Sequence, residues 1–161
     1  IPRDQSEMNF QQYTVTGGPT FTAAQQATAW DAYIAQDKYL SKHRGEYAQR
    51  GAVFIPMVYR ADLTIAQEVF AGAFRKRNTL QIRADILNVG NLLNKNWGVG
   101  QRLVNTQPLL SQGADAQGRA LYRLRSIGTA AAAQLMTTSL EPTSGLGDVF
   151  RVQIGLRYTF N

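Results

Sequence analysis

The residues that precede Asn161 alternate strictly between apolar and polar or small side chains. Successive side chains of an extended chain point to opposite faces of a sheet, so this alternation predicts one strand with an apolar face and a polar face. What each face contacts decides what such a chain can fold into. The apolar members are Phe150, Val152, Ile154, Leu156, Tyr158 and Phe160, and the members between them are Arg151, Gln153, Gly155, Arg157 and Thr159.

Two earlier stretches of the sequence show the same alternation. A short polar run, "RKRN" at 75–78, connects them. Two alternating stretches joined by a short polar link predict an antiparallel hairpin. The pattern falters after Ile86, in "NVGNLLNKNWGVG", where glycine and asparagine predict a bulge or a bend. The apolar face of the first stretch comprises Ala61, Leu63, Ile65, Val69 and Ala71, interrupted once by Gln67, and that of the second comprises Leu80, Ile82, Ala84 and Ile86.

The rest of the sequence predicts one helix and long loops. Thr22 precedes a stretch rich in alanine and glutamine in which Ala27, Trp30 and Ile34 recur at helical spacing, so we predict a helix over about 22–42. The aromatic side chains of this helix either bind an external ligand or pack the helix against its loop, and packing is our prediction. Residues 104–147 are rich in turn-forming residues and predict a loop, with "ALYRLRS" as a candidate short strand inside it.

The composition excludes several classes of chemistry. The chain of 161 residues contains no cysteine, which excludes disulfides, thiol catalysis and thiolate metal sites. Its single histidine, His43, lies among other polar residues and is expected to be solvated rather than to bind zinc. No serine lies in a nucleophile elbow. We therefore expect no enzyme activity, no metal site and no cofactor.

The charge of the chain bears on its partners. A net charge of +6 suggests an acidic partner. The basic residues are scattered, however, and their densest run is Arg75, Lys76 and Arg77. Nucleic-acid surfaces concentrate basic residues in a patch or a stripe. We therefore do not expect this chain to bind nucleic acid.

Three features of the alternating stretches favour strands that cross an outer membrane over strands of a soluble sandwich. The polar face carries long charged side chains, which suit a wet lumen. The connections alternate between short and very long, as in outer-membrane barrels. The stretches also exceed the ~5–6 residues of an average soluble strand and match the ~9–11 residues that a tilted strand needs to cross a bilayer.

These features predict a different environment for each face. For Asp62, Arg83 and Asp85 two roles stay open: contact with cargo, or pairing of opposite charges across neighbouring strands, which holds the register. The residues expected to face the lumen are Asp62, Arg83, Asp85, Arg151 and Arg157. The residues expected to face lipid are Leu63, Ile65, Leu80, Ile82, Ile86, Val152, Ile154 and Leu156.

The end of the chain resembles a known signal. Gln153, Gly155, Tyr158 and Phe160 fit the pattern polar-x-Gly-x-x-aromatic-x-aromatic, which resembles the C-terminal assembly signal of bacterial outer-membrane barrels. Such chains usually end on the aromatic residue, whereas Asn161 follows it here. The resemblance implies that the closing strand is presented to the barrel-assembly machinery, with its unpaired backbone available to a receiving sheet.

A second resemblance concerns the middle of the chain. The stretch "DILNVGNLLNKNWG" looks like the penultimate strand of TonB-dependent transporters. The stretch "QDKYLSKHRGEYAQRGAVFIPMVYRADLTIAQEVF" looks like the preceding loop and strand of the Oar-like subgroup, whose members carry a carboxypeptidase-regulatory-like domain at the N-terminus. The resemblance covers the sequence from Asp37 to Asn161.

The resemblance implies an all-β transmembrane fold: the C-terminal antiparallel strands of a large outer-membrane β-barrel, with long external loops and one helix near 22–42. The whole chain, 1–161, would be a C-terminal fragment of the barrel domain. An external loop with the helix would occupy 1–52, strands about 53–74, 79–103 and 148–160, and a second external loop 104–147.

The implied function is that of a structural part of a TonB-dependent active transporter in the outer membrane of a Gram-negative bacterium. Such a transporter imports a bulky nutrient. Its partners would be outer-membrane lipid, the barrel-assembly machinery, an unidentified cargo, and the TonB complex, which acts through an N-terminal plug that this sequence lacks. No cofactor is implied.

The alternative is a soluble β-rich binding module with a sandwich core, a helical insertion and a basic surface. A small barrel assembled from several copies is a third and weaker interpretation. Solvent preference discriminates between the first two. Membrane strands aggregate in plain buffer and form sheet in detergent or lipid, whereas a soluble module is monodisperse without either.

Overall fold

The structure is a computed structural model that describes residues 1–71 and 79–160, with side chains described up to residue 68 in the first range. The chain divides into two compact units. The first unit comprises Ile1–Ile55 and Leu103–Glu141, and the second comprises Pro56–Arg102 and Pro142–Asn161. The predicted turn "RKRN" and the terminal Asn161 lie outside the described residues.

Strands and helices occur in both units. None of the helices in the described residues is long and apolar enough to cross a membrane. The helices are α1 (Ala23–Gln36) and α2 (Val89–Leu93), with 3₁₀ turns at Gln5–Glu7, Leu40–Lys42, Ala130–Ala132 and Leu146–Asp148. The strands are β1 (Tyr13–Thr14), β2 (Thr20–Phe21), β3 (Leu63–Ala71), β4 (Thr79–Leu87), β5 (Gln101–Leu103), β6 (Leu109–Ala114), β7 (Ala120–Leu124), β8 (Ser126–Ile127), β9 (Gln134–Leu135), β10 (Leu140–Pro142) and β11 (Arg151–Thr159).

Helix α1 begins where the sequence places its N-cap. The Thr22 hydroxyl accepts a hydrogen bond from the backbone N–H of Gln25 at 3.2 Å, and the Gln25 side-chain oxygen accepts one from the Thr22 N–H at 2.9 Å. This reciprocal capping box satisfies two of the donors that a helix start leaves unpaired. At the other end, the Asp37 carboxylate accepts from the backbone N–H groups of Tyr39 and Leu40. The regular helix therefore ends at Gln36, and a separate 3₁₀ turn follows.

The first unit has a small core of its own. Strands β6 and β7 form an antiparallel hairpin that places Leu109 opposite Leu124. Phe10, Ala29 of α1 and Leu124 form a buried cluster, with Leu109 packed against it. Met136, which follows β9, is also fully buried. The apolar residues of 104–141 therefore pack against the N-terminal part of the chain.

The second unit is built on a three-stranded antiparallel sheet. The strand order is β11-β4-β3, so β4 is central and pairs along both edges. In β11 the pairing with β4 is unbroken from Arg151, opposite Leu87, to Thr159, opposite Thr79. Strand β3 pairs with β4 from Leu63, opposite Ile86, with a bulge after Glu68. The hairpin predicted from the two alternating stretches corresponds to β3 and β4.

The predicted all-β transmembrane barrel fold is wrong. The described residues form a mixed α/β structure of several small antiparallel sheets, the largest with three strands, together with two helices and no closed or curled sheet. One physical reason lies in 104–147, predicted as an external loop, which forms strands and contributes Leu124 and Met136 to a local core. The other is that β11 and β3 have no further strand neighbours among the described residues, so the sheet stops after three strands.

Candidate functional site

The sheet of the second unit brings the predicted apolar positions of three strands side by side. Ile154 of β11 lies opposite Ala84 of β4, which lies opposite Ile65 of β3. Because side chains alternate between faces, every second residue along these strands points to the same side. We call this side the apolar face, and it comprises Leu63, Ile65, Leu80, Ile82, Ala84, Ile86, Val152, Ile154, Leu156 and Tyr158.

The apolar face is exposed. Ile154 and Leu156 have 74% and 72% of their surface accessible, and Ile65 has 57%. Full burial of one such side chain is worth roughly 1.5–3 kcal/mol, so leaving a continuous set of them in water is unfavourable. Contiguous exposed apolar patches mark interaction sites. This face is therefore the main candidate contact surface of the chain.

The dimensions of the apolar face follow from strand geometry. Strands β3, β4 and β11 are each 9 residues long. At a rise of ~3.4 Å per residue each strand extends for roughly 30 Å, and the three strands lie ~4.8 Å apart. The face is therefore an elongated strip rather than a pocket.

The opposite side of the sheet is polar and centres on Asp85. Its carboxylate accepts a hydrogen bond from the Thr64 hydroxyl at 2.6 Å and from Arg83 Nε at 2.9 Å. These contacts hold the pKa of Asp85 below its usual value, and the hydrogen bond from Thr64 has the largest effect. The bond to Thr64 crosses from β4 to β3, whereas the ion pair with Arg83 lies within β4. Asp85 and Arg83 therefore contact each other within one strand, whereas the predicted pairing of opposite charges joins neighbouring strands.

The other residues predicted to face a lumen are placed differently. Arg151 and Arg157 share the polar side of β11 and make no ion pair with any described residue. Asp62 precedes β3, and its carboxylate accepts a hydrogen bond from the backbone N–H of Asn88 at 2.8 Å. The polar side of β11 thus carries two cations, and Asp62 anchors the end of β4.

The residues of the predicted assembly signal divide between the two sides of β11. Gln153 and Gly155 lie on the polar side, opposite Asp85 and Arg83 respectively. Tyr158 lies on the apolar face, and its ring centroid is 6.1 Å from that of Phe160. The two aromatic rings therefore form one exposed cluster at the end of the chain.

Sequence reasoning missed the most constrained acidic side chain of the second unit, Asp148. One of its oxygens accepts hydrogen bonds from Arg60 Nη2 at 2.8 Å and from the Gly100 N–H at 2.9 Å. The other accepts from the Gly145 N–H at 2.8 Å. The pKa of Asp148 is lowered to about 2. The largest cause is the hydrogen bond from the Gly100 N–H, followed by those from the Thr143 hydroxyl and the Gly145 N–H. The one local signal is the turn-like "SGLGD", in which Asp148 caps its own 3₁₀ turn.

Asn88 ends strand β4 in a left-handed backbone conformation, with φ of 52° and ψ of 51°. Asparagine is among the few residues that tolerate this region. Its side chain is buried, and Nδ2 donates to the carbonyl oxygen of Gly147 at 3.2 Å. A side chain on Gly98, whose φ is 68°, would collide with the Asn88 amide. These contacts are structural, and they position the loops at one end of the sheet.

A groove of about 640 Å³ lies in the second unit, beside the segment that leads into β3. Met57, Tyr59, Leu93 and Trp97 line it, and each has more than half of its surface exposed. Arg60 also lines this groove, but its guanidinium already bonds Asp148 and the Gly98 carbonyl. The groove therefore adds apolar surface to the unit without offering an unoccupied charge.

His43 and the acidic side chains form no metal site in the described part of the chain. His43 Nδ1 lies 2.8 Å from the carbonyl oxygen of Tyr39, and its ring stacks on the Tyr39 ring with centroids 4.0 Å apart. Within residues 1–71 and 79–160 no three histidine, aspartate or glutamate side chains are grouped so that they could hold a metal ion.

Comparisons with protein-family models, with curated proteins and with solved structures give no match for this chain.

Proposed function

We propose that this chain is a β-rich binding module that acts through the apolar face of its three-stranded sheet. The observation that carries the proposal is the continuity of that face: apolar side chains of three strands lie in register, with Ile154 and Leu156 largely exposed. An apolar surface of a partner that covers these side chains would remove them from water, at roughly 25 cal/mol per Å² buried.

The polar side of the sheet gives the module a basic surface. Arg151 and Arg157 stand on β11 without an ion-pair partner among the described residues, and the whole chain carries a net charge of +6. Such a surface raises the association rate with acidic partners. The apolar face would supply most of the affinity, while the arginines stand on the opposite side of the sheet and would act on the association rate rather than in the contact.

A second candidate function is a structural part of a TonB-dependent outer-membrane transporter that imports a bulky nutrient. Its support is the length of the strands, 9 residues each, which agrees with the ~9–11 residues of strands that face a bilayer. The resemblance carried by "NLLNKNWG" and the closing strand adds to it. In that role the apolar face would contact outer-membrane lipid, and the assembly machinery, the TonB complex and a cargo would be the other partners.

The test of the proposed function is a pair of substitutions at adjacent positions of β11. Ile154→Arg puts a cation on the apolar face, and Gln153→Arg puts the same cation on the polar side. We expect the wild-type chain and Gln153→Arg to self-associate in buffer and to become monodisperse in detergent. Ile154→Arg should be largely monodisperse in buffer, because it interrupts the apolar face. Light scattering coupled to size-exclusion chromatography measures the association state of each chain in buffer and in detergent.

Flotation with phospholipid vesicles separates the two candidate functions. If lipid covers the apolar face, wild type and Gln153→Arg float with vesicles and Ile154→Arg does not, since an arginine at the bilayer midplane costs about 2–4 kcal/mol. If a protein partner covers it, none of the three floats, although they still differ in buffer. Equal behaviour of Ile154→Arg and Gln153→Arg in both experiments would rule out the apolar face as the contact surface.

A further inference from the structure

The first unit holds an arginine side chain against an aromatic ring. The guanidinium carbon of Arg123, on β7, lies 3.7 Å from the centroid of the Tyr13 ring. The ring itself is held in place, because its hydroxyl donates to the carbonyl oxygen of Leu124 at 2.8 Å and its centroid lies 5.5 Å from that of Phe21. Arginine stacks on aromatic faces through cation–π attraction. The Arg123 guanidinium is therefore positioned before any ligand binds.

The stack leaves the outer end of this guanidinium available. Arg123 Nε is buried and out of reach of a ligand. The two terminal nitrogens are not among the buried unpaired atoms, and they make no hydrogen bond or ion pair with any described residue, so they reach solvent. A guanidinium held at its inner end thus presents terminal N–H donors of the kind that bind phosphate and carboxylate oxygens.

A second arginine stands beside the first on the same side of the hairpin. Arg123 lies opposite Leu110 of β6. The pairing continues at Arg125, whose backbone N–H donates to the Pro108 carbonyl oxygen at 2.9 Å. Residues two apart on an extended strand point to the same side and lie ~7 Å apart. Arg125 Nε donates to the carbonyl oxygen of Gln107 at 3.2 Å, and its guanidinium has no ion-pair partner in the described part of the chain.

From these observations we infer that Arg123 and Arg125 together bind a phosphate monoester. The two guanidiniums place a charge of +2 on one small area of the hairpin, and no described carboxylate pairs with either. A phosphate monoester carries a charge of about −1.5 to −2 near pH 7 and has three acceptor oxygens, so a single group can accept from both arginines. A carboxylate has one negative charge and would neutralise only one of them.

The test compares phenyl phosphate with benzoate, which share an aromatic ring and differ in the anionic group. The full chain is kept in a non-ionic detergent, which does not compete for the arginines. Binding is followed in ¹H–¹⁵N spectra through the Nε–H of Arg123, whose burial slows its exchange with solvent, and through the neighbouring backbone amides. Phenyl phosphate should shift these resonances and bind about three- to tenfold more tightly than benzoate. Equal affinities, or no shift with phenyl phosphate, would overturn the inference.

Matched variants separate the site from the net charge of the chain. Arg123→Gln and Arg125→Gln each remove one charge of the site and should weaken the binding of phenyl phosphate about three- to tenfold. Arg119→Gln removes the same charge from the far end of the hairpin, where Arg119 pairs with Asp115. It lies ~14 Å along the strand from Arg123, beyond the ~8 Å Debye length at physiological salt, so binding should not change. Equal weakening in all three variants would show an unspecific charge effect and exclude the site.

Arg123→Lys tests the stacked guanidinium. Lysine keeps the charge but lacks the planar group that lies on Tyr13 and donates two bonds side by side, so the affinity should fall towards that of Arg123→Gln. Dispersed backbone resonances in each variant show that the first unit is still folded. Full affinity in Arg123→Lys would mean that charge alone is sufficient and would overturn the role of the stack.

Two further probes identify the source of the phosphate group. Glycerol 3-phosphate represents a soluble phosphate monoester, and phosphatidic acid in mixed micelles represents a lipid headgroup with the same group. The source is the probe that shifts the Arg123 resonance at the lower concentration. None of these results bears on the proposed function, which rests on strands of the second unit and is measured by self-association and flotation.

Discussion

Gln26 is a polar side chain that is completely buried, and both ends of its amide are used. Its Nε2 donates to the carbonyl oxygen of Gln11 at 2.8 Å and lies 3.3 Å from that of Phe21. Its Oε1 accepts from the backbone N–H of Leu124 at 3.0 Å. One side chain of α1 thereby satisfies backbone groups of the N-terminal segment and of β7. Buried backbone groups without partners are costly, so this glutamine stabilises the first unit.

At this scale we predict that Gln26→Leu strongly destabilises the first unit. Leucine has a similar volume but leaves the Leu124 N–H buried and unpaired, at about 1–3 kcal/mol, and removes the hydrogen bond to the Gln11 carbonyl oxygen. Urea unfolding followed by Trp30 fluorescence in a Trp97→Phe background measures the loss. Gln49→Leu, at an exposed position, is the control and should change the unfolding free energy little. A similar small change in both variants would contradict the role of Gln26.

The residue scale is where sequence reasoning was least informative. Gln26 sits in an alanine- and glutamine-rich helix beside Gln25, which is exposed, and composition does not distinguish the two. Asp148 likewise resembles any acidic residue of a turn. Their burial depends on Leu124 and on Arg60, which are distant in sequence. By contrast, the shared faces of Ile82, Ile154 and their neighbours follow from alternation alone.

Among the elements, α1 shows how much a local sequence pattern can define. The start near Thr22 was predicted because Thr22 precedes a stretch rich in alanine and glutamine with helical spacing, and the structure adds a capping box there. The sequence pattern extended the helix to about 42, but Asp37 adopts an extended backbone, and its carboxylate caps the next turn. Side-chain capping of the following backbone competes with helix continuation, and this competition ends α1 at Gln36.

The capping box leads to a second prediction. Thr22→Ala removes the hydroxyl that accepts from the Gln25 N–H and should lower the unfolding free energy of the first unit by about 1 kcal/mol. Thr28→Ala deletes the same atoms at an exposed position within α1 and should be neutral or slightly stabilising, because alanine has the higher helix propensity. Thermal unfolding followed by circular dichroism compares the two. The capping contribution would be disproved by equal shifts in melting temperature.

The strands show both what a local pattern can predict and what it misses. The alternation predicted β3, β4 and β11 and placed their apolar residues on one face, because a period of two is a property of each strand by itself. The short strands between residues 104 and 147 were predicted as loop, apart from the candidate strand "ALYRLRS", where the structure has Ala120–Leu124. They have 2–6 residues, too few for a periodic signal, and they exist because Leu109 and Leu124 meet in a hairpin that packs on α1.

On the scale of the whole molecule, each of the two units has its own buried polar centre, Gln26 in the first and Asp148 in the second. The Asp148 carboxylate joins Arg60, Gly100 and Gly145, which lie in three separate parts of the sequence. Its lowered pKa therefore connects the stability of the second unit to pH. A variant that removes Gln26 should therefore lower the stability of the first unit, and one that removes Asp148 should lower that of the second.

We predict that the second unit loses stability as the pH falls from 3.8 to about 2 through protonation of Asp148. A folded-state pKa below the usual value means that the carboxylate's contribution is complete above the usual value and is lost as the pH falls through the lowered one. Asp148→Asn should reduce the urea midpoint at pH 6 and flatten its decline in this acid range. Trp97 fluorescence in a Trp30→Phe background reports the second unit.

The control for this prediction is Asp85→Asn on the polar side of the sheet. The pKa of Asp85 is also lowered, but its contacts join two neighbouring strands rather than three separate segments. We therefore expect a smaller loss at pH 6 than for Asp148→Asn. If Asp148→Asn retains the acid decline of the wild-type chain, groups other than Asp148 are responsible for it.

The sequence by itself determined the two-faced strands and the start of α1, because alternation and capping depend on residues within one turn or one strand. Only the tertiary structure decided that the sheet has three strands, that 104–141 packs on α1, and that Asp148 meets Arg60. Alternation describes the faces of a strand but not how many strands pair or whether the sheet closes. Those outcomes depend on contacts between residues far apart in the chain, and such contacts have no local signature.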